Sequence, residues 1–204
     1  VLLAADDKGY RNLTQLISRA YLEGQRQAIP VIEHSWLTAH NEGLIALSGG
    51  RLGEIGIALV SGREAEAKAA LVKMMSIFPN RFYLELQRTS RSDEDDYIHS
   101  AVSLAQQCDC PVVATNDVRF IKSSEFEAHE ARVCIYEGRA LDDPRRERRY
   151  SETQYLKSPE EMAELFSDIG DYEIIISGGF DNNYEFTTLQ NGVLTINKAS
   201  QNCV

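Results

Sequence analysis

Residues 81–117, RFYLELQRTSRSDEDDYIHSAVSLAQQCDCPVVATND, contain the pattern that decides the fold. Arg81–Gln87 is rich in aromatic residues and alternates in polarity, which predicts a strand. Pro111–Thr115 is a short apolar run, typical of strands buried in parallel sheets. Between them, Asp93–Gln107 has the apolar spacing of a helix, with Asp93 as its N-cap. The stretch therefore predicts two parallel strands joined by a helix.

The sequence on both sides continues this alternation. The further elements that we predict are helices at Gly9–Leu22, Glu64–Phe78, Glu125–Tyr136 and 158–166, and strands at Val1–Ala5 and Gly43–Ser48. We expect Val1–Ala5 to be buried, and Ser158-Pro159-Glu160-Glu161 to cap the last helix. Because hairpin signals are scarce in the first 170 residues, we predict an α/β fold with a parallel sheet.

Composition and charge exclude several classes of protein. Hydrophobic residues make up 43% of the chain, which is too many for a disordered protein. The net charge of −10 argues against a chain that wraps nucleic acid by itself, although an acidic module of a DNA-handling protein stays open. No apolar run approaches the roughly 18 residues of a membrane helix. With only four cysteines and no signal peptide, we expect a cytoplasmic protein without a membrane partner.

Polar groups follow three of the predicted strands. They are Glu85, the pair Asn116-Asp117, and the backbone amides of Ser48-Gly49-Gly50. In parallel α/β folds functional groups lie at strand ends. An acid there can bind a hard cation or cap the next helix, and the spacing alone favours the cap.

Cysteine, histidine and nucleophile motifs give no complete site. Cys108-Asp109-Cys110 lacks a second pair of zinc ligands, so we interpret it as a helix end entering a strand. None of the four histidines has the spacing of a metal motif, and His129 is the strongest candidate among them. No P-loop, dinucleotide motif or nucleophile elbow is present.

A basic cluster lies in the predicted loop Arg139–Thr153. It consists of Arg145, Arg146, Arg148 and Arg149. The loop also contains Asp142, Asp143 and Glu147, so one interpretation is a solvated loop with balanced charge. The alternative is a contact with an acidic partner or a phosphate.

Five stretches in order carry a resemblance to a known family. They are GYRNLTQLISRAYLEG (9–24), NEGLIALSGGRLGEIG (41–56), RFYLELQRT (81–89), PVVATNDVRFIKSSEFEAHEARVCIYEG (111–138) and SPEEMAELFSDI (158–169). Together they resemble the PHP (polymerase and histidinol phosphatase) domain of the bacterial replicative DNA polymerase III alpha subunit. The ATND block after an apolar strand is the most specific of them.

The resemblance implies a fold, an activity and partners. The fold would be part of a distorted, TIM-like β/α barrel at the N-terminus of the polymerase. Since the chain begins without Met, we expect a piece of a longer protein, with the first metal motifs before Val1 and the palm, with its Mg²⁺, beyond Val204. The parent chain would be a DNA-directed DNA polymerase. This segment would dock the proofreading exonuclease subunit, while other replicase subunits and DNA would bind the rest of the parent chain.

The resemblance also implies a degenerate metal site. Where the family keeps a metal centre, the ATND block reads Asp-x-His and the glycine turn carries Cys; here Asp117-Val118-Arg119 and Gly50 stand at those positions. A guanidinium group has no free lone pair for a cation, so Arg119 should pair with Asp117 instead. We therefore expect no catalytic residue and no cofactor in this segment, with Asp117 as the weak remaining candidate ligand.

The C-terminal part departs from the family pattern. We assign residues 1–169 to the PHP domain, 170–188 to a β-hairpin insertion with turn residues at 178–183, and 189–204 to a helical segment.

Two other functions compete with the structural segment. One is an active metal-dependent phosphoesterase or pyrophosphatase of the PHP superfamily, which would use bound metals to activate water. The other is a small-molecule-binding α/β domain unrelated to replication. Arg119 and Gly50 weigh against the first alternative, and the ordered family stretches weigh against the second.

Overall fold

The computed structural model of the chain describes residues 1–91, 94–167, 172–174 and 192–194. Its helices are α1 (Asp7–Leu22), α2 (His34–Ala39), α3 (Glu54–Val60), α4 (Glu64–Ile77), α5 (Glu94–Cys108), α6 (Phe126–Glu137) and α7 (Pro159–Leu165). Its strands are β1 (Leu2–Ala4), β2 (Gln25–Arg26), β3 (Ile29–Pro30), β4 (Leu44–Leu47), β5 (Phe82–Gln87), β6 (Val112–Thr115), β7 (Tyr172–Ile174) and β8 (Gly192–Leu194). No helix in these ranges combines the length and the hydropathy that a membrane crossing requires.

A four-stranded sheet with the order β1-β4-β5-β6 lies at the centre of the fold. Strands β4, β5 and β6 are parallel, with Ala46 opposite Phe82 and Gln87 opposite Thr115, and β1 is antiparallel to β4. The predicted α/β class with a parallel sheet is confirmed. The described strands form an open sheet, so the closed barrel stays a prediction.

Strand β5 separates an apolar face from a polar one. Phe82, Leu84 and Leu86 alternate along it and belong to the buried core, together with Tyr97 and Ile98 of α5. The Tyr97 hydroxyl donates to the backbone oxygen of Glu85 at 2.6 Å, and burial raises the Tyr97 pKa. Because side chains alternate along a strand, Glu85 and Gln87 point to the opposite face from these leucines. That face carries the polar groups of the candidate site.

Two segments that follow β6 in sequence pair with each other in parallel. Phe120 and Tyr155 form an isolated parallel bridge. The Arg119 amide donates to the Gln154 carbonyl at 2.8 Å, and the Leu156 amide donates to the Phe120 carbonyl at 3.1 Å. This short pairing joins the segment after β6 to the segment before α7.

Caps and a close backbone contact fix two of the helices. Asp6 caps α1 by accepting from the Gly9 amide at 2.7 Å. Gly9 is required in α1 because a Cβ there would lie 1.8 Å from the Gly43 carbonyl oxygen. The capping box predicted at Ser158 is formed with Glu161. The predicted cap of α5, Asp93, lies outside the described residues.

Some elements differ from the sequence-based expectation. Strand β1 is partly exposed rather than buried, because it lies at the edge of the sheet. Helices α2 and α3 were not predicted; each is short, at six and seven residues, and gives little periodicity to detect. The β2–β3 hairpin was also missed, because its turn places Gln27 and Ala28 at φ of 51° and 65° without the glycine or asparagine that signals such turns.

The strand pairing in the C-terminal part differs from the predicted one. Strand β7 pairs antiparallel with β8, with Tyr172 opposite Leu194. The strand expected at 184–186 lies outside the described residues, so the hairpin over 170–188 is not supported. The helical prediction for 189–204 is wrong at Gly192–Leu194, which form β8. The sequence Asn191-Gly-Val-Leu-Thr-Ile combines a turn signal with β-branched residues, which favours a strand.

Leu84 tests how much the core around β5 contributes to stability. Its side chain is fully buried, so Leu84→Ala should lower the free energy of unfolding by about 3 kcal/mol, through lost apolar burial and a cavity. Leu22→Ala is the matched control, because Leu22 is 83% exposed and the change should cost less than about 0.5 kcal/mol. Urea denaturation followed by circular dichroism measures both. Equal effects of the two changes would contradict this assignment of the core.

Candidate functional site

The ends of β4, β5 and β6 meet around the side chain of Glu85. One carboxylate oxygen, Oε2, accepts from the Gly49 amide at 3.0 Å. The other, Oε1, accepts from the Thr115 hydroxyl at 2.5 Å and from the Gln87 side-chain amide at 3.1 Å. The Glu85 amide in turn donates to the Ser48 hydroxyl at 2.9 Å. Glu85 and the Gly49 amide, two of the strand-end groups named from the sequence, are therefore in contact.

Glu85 has a joining role in this arrangement. It is 4% exposed, and three donors surround its carboxylate, so its polar atoms are satisfied within the protein. The interpretation of Glu85 as a helix cap is wrong, because it lies inside β5 and α5 begins only at Glu94. Glu85 thus holds the ends of three strands in register.

Gly50 is enclosed by the side chain of Gln87. It has φ +59°, a backbone conformation that favours glycine, and it begins a 3₁₀ helix at Gly50–Leu52. A Cβ at Gly50 would lie 2.6 Å from the Gln87 Oε1 and 2.9 Å from its Cδ. A larger side chain at this position therefore requires both a strained backbone and a shift of Gln87.

Asp117 is held by cationic and amide groups. Its Oδ1 lies 2.8 Å from the Arg119 Nη2, and its Oδ2 lies 3.7 Å from the Arg91 Nη2. The Gln154 side-chain amide donates both to Oδ2 at 2.9 Å and to the Asp117 carbonyl at 3.0 Å. The ion pair predicted between Asp117 and Arg119 is formed. The cap interpretation of Asp117 is wrong, because α6 begins only at Phe126 and its preceding 3₁₀ turn at Ser123.

Gln154 is a site residue that the sequence does not reveal. It is fully buried, and its Oε1 accepts from the Ser151 amide at 2.9 Å while its amide group binds Asp117. The Asn116 side-chain amide also connects these two segments, because it donates to the carbonyls of Thr153 at 3.1 Å and Tyr155 at 2.6 Å. The partners are 37 to 39 residues apart in sequence, and no local pattern predicts such pairings.

His129 packs in an aromatic environment beside the site. Its ring lies 4.7 Å from the Tyr150 ring and 5.6 Å from the Phe120 ring, between centroids. Burial, followed by the charges of Arg132 and Arg119, lowers the pKa of His129, which favours the neutral imidazole. The Arg119 guanidinium also lies over the Tyr150 ring, with its Cζ 5.2 Å from the ring centroid.

The basic cluster divides into members with different surroundings. Arg145 is exposed and pairs with Asp143 at 3.0 Å, as a solvated loop predicts. For Arg146 that interpretation is wrong, because its side chain is only 3% exposed and forms an ion pair with the buried Glu130. Arg148 and Arg149 line a cleft next to Asp117.

The cysteines of the C-x-C motif lie at the junction of α5 and β6. Helix α5 ends at Cys108, and Cys110 is buried just before β6 begins at Val112. Burial raises the pKa of the Cys110 thiol to about 11, which disfavours the thiolate that metals bind. The interpretation as a helix end entering a strand is confirmed.

The described residues around Asp117 do not fit a PHP metal centre. In the described ranges, no group of three or more His, Cys, Asp and Glu residues lies close enough to hold a metal ion. In the described residues, the Asp117 carboxylate forms ion pairs with two guanidinium groups, which repel a cation. The arrangement can fix the loops around Asp117 and can attract anions.

Similarity to known proteins agrees with the resemblance in the sequence. Residues 1–89 match the model of the PHP domain. Over 168 residues the chain is 62% identical to the DNA polymerase III subunit alpha of Pseudomonas aeruginosa and 54% identical to that of Escherichia coli K12. Each match covers 82% of this chain, and the chain spans 14% of the length of these relatives. Residues 1–89 are therefore similar to a PHP domain, and over most of its length the chain is similar to the N-terminal part of bacterial DNA polymerase III alpha subunits.

Proposed function

We propose that this chain is the PHP segment of a replicative DNA polymerase alpha subunit and acts as a structural platform. The observation that carries the proposal is the identity of 62% and 54% to two DNA polymerase III alpha subunits over 168 residues. In this proposal the longer protein is a cytoplasmic, DNA-directed DNA polymerase. Its Mg²⁺-dependent nucleotidyl transfer, DNA and other replicase subunits belong to parts of the polymerase outside this segment.

The surroundings of Asp117 support a segment without hydrolytic activity. Metal-dependent hydrolysis needs anionic or imidazole ligands that are free to bind the cation and lower the pKa of its water. The Asp117 carboxylate already forms ion pairs with Arg119 and Arg91, and it accepts a hydrogen bond from the Gln154 side-chain amide. A cation at Asp117 would have to displace these groups and lie against two positive charges. The ion pair thus stands where the family pattern has a metal ligand.

The geometry at Gly50 supports the same conclusion independently. The family's metal-binding members carry Cys at this position, whereas Gln87 fills the space that a side chain at Gly50 would need. Gln87 also donates to Glu85, so its position is fixed by the network at the strand ends. We therefore propose that the metal site is lost at two places in the fold, Gly50 and Asp117.

The pairing after β6 supports a β/α barrel. A barrel needs parallel strands beyond the sheet edge, and the bridge between Phe120 and Tyr155 has the parallel direction that such a strand requires. We propose that these residues begin the next part of the barrel wall.

Arg119→His tests whether Arg119 alone prevents metal-dependent hydrolysis. We expect no gain of activity, because Gly50 and Gln87 still leave the site without a second ligand. The measurement is p-nitrophenyl phosphate hydrolysis with added Mn²⁺ or Zn²⁺. Arg145→His is the matched control, since it adds a histidine to an exposed position away from Asp117. Activity in Arg119→His that the control lacks would contradict the degenerate-site proposal.

Docking of the proofreading exonuclease subunit is the second test. We expect the purified exonuclease subunit to be retained by the immobilised full chain, because the proposed platform role requires this contact. Resin without the chain serves as the control, and retention should survive Arg119→Ala if docking does not use the metal-site remnant. Failure of the wild-type chain to retain the subunit would remove the docking role.

A further inference from the structure

A buried cluster fastens the basic loop, Arg139–Thr153, to α6. It consists of His129 and Glu130 on the helix and of Arg146 and Tyr150 in the loop. The side chains of His129 and Glu130 are each 8% exposed, and that of Arg146 is 3% exposed. Arg146 forms an ion pair with Glu130, and the Tyr150 ring packs against the imidazole of His129. These four residues, the α6 cluster, therefore join the loop to the helix by one ion pair and one ring contact.

The imidazole of His129 lies in surroundings that disfavour a positive charge. The rings of Tyr150 and Phe120 pack against it. The positive charges that act on it are those of Arg132 on α6 and Arg119 in the segment after β6. Burial and then these two charges lower the pKa of His129, so the closed position of the loop favours the neutral imidazole.

Glu130 does not offset these charges, because its carboxylate is already paired. Its Oε1 lies 3.9 Å from the His129 Nδ1, while the same carboxylate forms the ion pair with Arg146. A proton on His129 makes two cations share one carboxylate in a buried place, where charges interact more strongly than in water. Protonation of His129 therefore opposes the buried position of Arg146, which holds the loop on α6.

The α6 cluster is also incompletely hydrogen-bonded. Within the described residues, His129 Nδ1, Glu130 Oε1 and Arg146 Nε are buried atoms without a hydrogen-bond partner. Unpaired buried polar atoms cost free energy, and so does the burial of an ion pair. These contacts therefore favour the closed position of the loop only modestly, and one added charge can shift the equilibrium.

We propose that the α6 cluster is a pH-sensitive switch, which holds the basic loop on α6 while His129 is neutral and releases it when His129 is protonated. In the released loop His129 and Arg146 both reach water, which removes the repulsion between them. An exposed histidine takes up its proton at about pH 6.5. Because His129 has a lower pKa in the closed loop, the closed state is fully stable above about pH 6.5 and loses stability as the pH falls below it. The inference does not rest on the platform role.

Tryptic cleavage after Arg146 measures the release of the loop, because trypsin must take up an arginine side chain that the closed cluster buries. The full chain is digested briefly at pH 7.5 and at pH 5.5, and mass spectrometry gives the initial rate of this cleavage. A parallel digest of a peptide with the sequence of residues 139–153 corrects for the pH dependence of trypsin itself. We expect the corrected rate to rise by up to about tenfold at pH 5.5, which lies about one pH unit below the titration of an exposed histidine.

His129→Gln separates the titration of His129 from other effects of acid. Its side chain takes up no proton, so its corrected rate should be the same at both pH values. His99→Gln is the matched control, because His99 is exposed on α5 and its ring contacts the Asp95 carbonyl oxygen; it should keep the wild-type rise. Circular dichroism at both pH values checks that each variant is folded.

Three outcomes would overturn the proposal. The first is a corrected rate in the wild type that does not change with pH, whatever the variants do. The second is an equal rise in the wild type and in His129→Gln. The third is an equal rise in cleavage after Arg81, whose side chain is bonded to the Asn41 and Leu44 carbonyls, because that result indicates general unfolding.

Discussion

The carboxylate of Asp117 is shared between two guanidinium groups and one amide, and the electrostatic character of the candidate site depends on this contact. Arg119, Arg91 and Gln154 come from three different segments of the chain and meet at this one side chain. Exposed ion pairs contribute only about 0–1 kcal/mol to stability, and the Arg119 side chain is 41% exposed. The main consequence is therefore electrostatic. A place that could attract a cation instead holds one carboxylate between two guanidinium groups, which leaves one positive charge in excess.

The sheet creates this place through the alternation of side chains along β5. Leu84 and Leu86 on one face build the core, while Glu85 on the other face accepts hydrogen bonds from groups at the ends of β4 and β6. Burying a carboxylate without hydrogen-bond donors costs free energy of folding. The Gly49 amide and the Thr115 hydroxyl therefore stabilise the fold as well as shaping the site. The same parallel register that aligns the strands brings Asp117 to the edge where the arginines converge.

Much of the fold could be predicted from local patterns, whereas much of the site could not. Strand β5 alternates in polarity, β6 is a short apolar run and α1 has a clear amphipathic pattern. Ser158 carries a complete capping signal. The pair of Asp117 with Arg119 was predictable because the two residues are close in sequence and opposite in charge. Gln154 and Arg91 were not, since their contacts with Asp117 depend on how distant loops cross. The burial of Arg146 was missed because its partner, Glu130, lies on α6, and no local sequence pattern indicates that the two residues form an ion pair.

The most direct test of the central claim is the amount of metal bound by the chain. After equilibration with Zn²⁺ or Mn²⁺ and removal of free ions, mass spectrometry of the protein measures the bound metal per chain. The occupied Asp117 carboxylate predicts far less than one equivalent, with no difference between the wild type and Asp117→Asn. One equivalent of metal that is lost on Asp117→Asn would contradict the account.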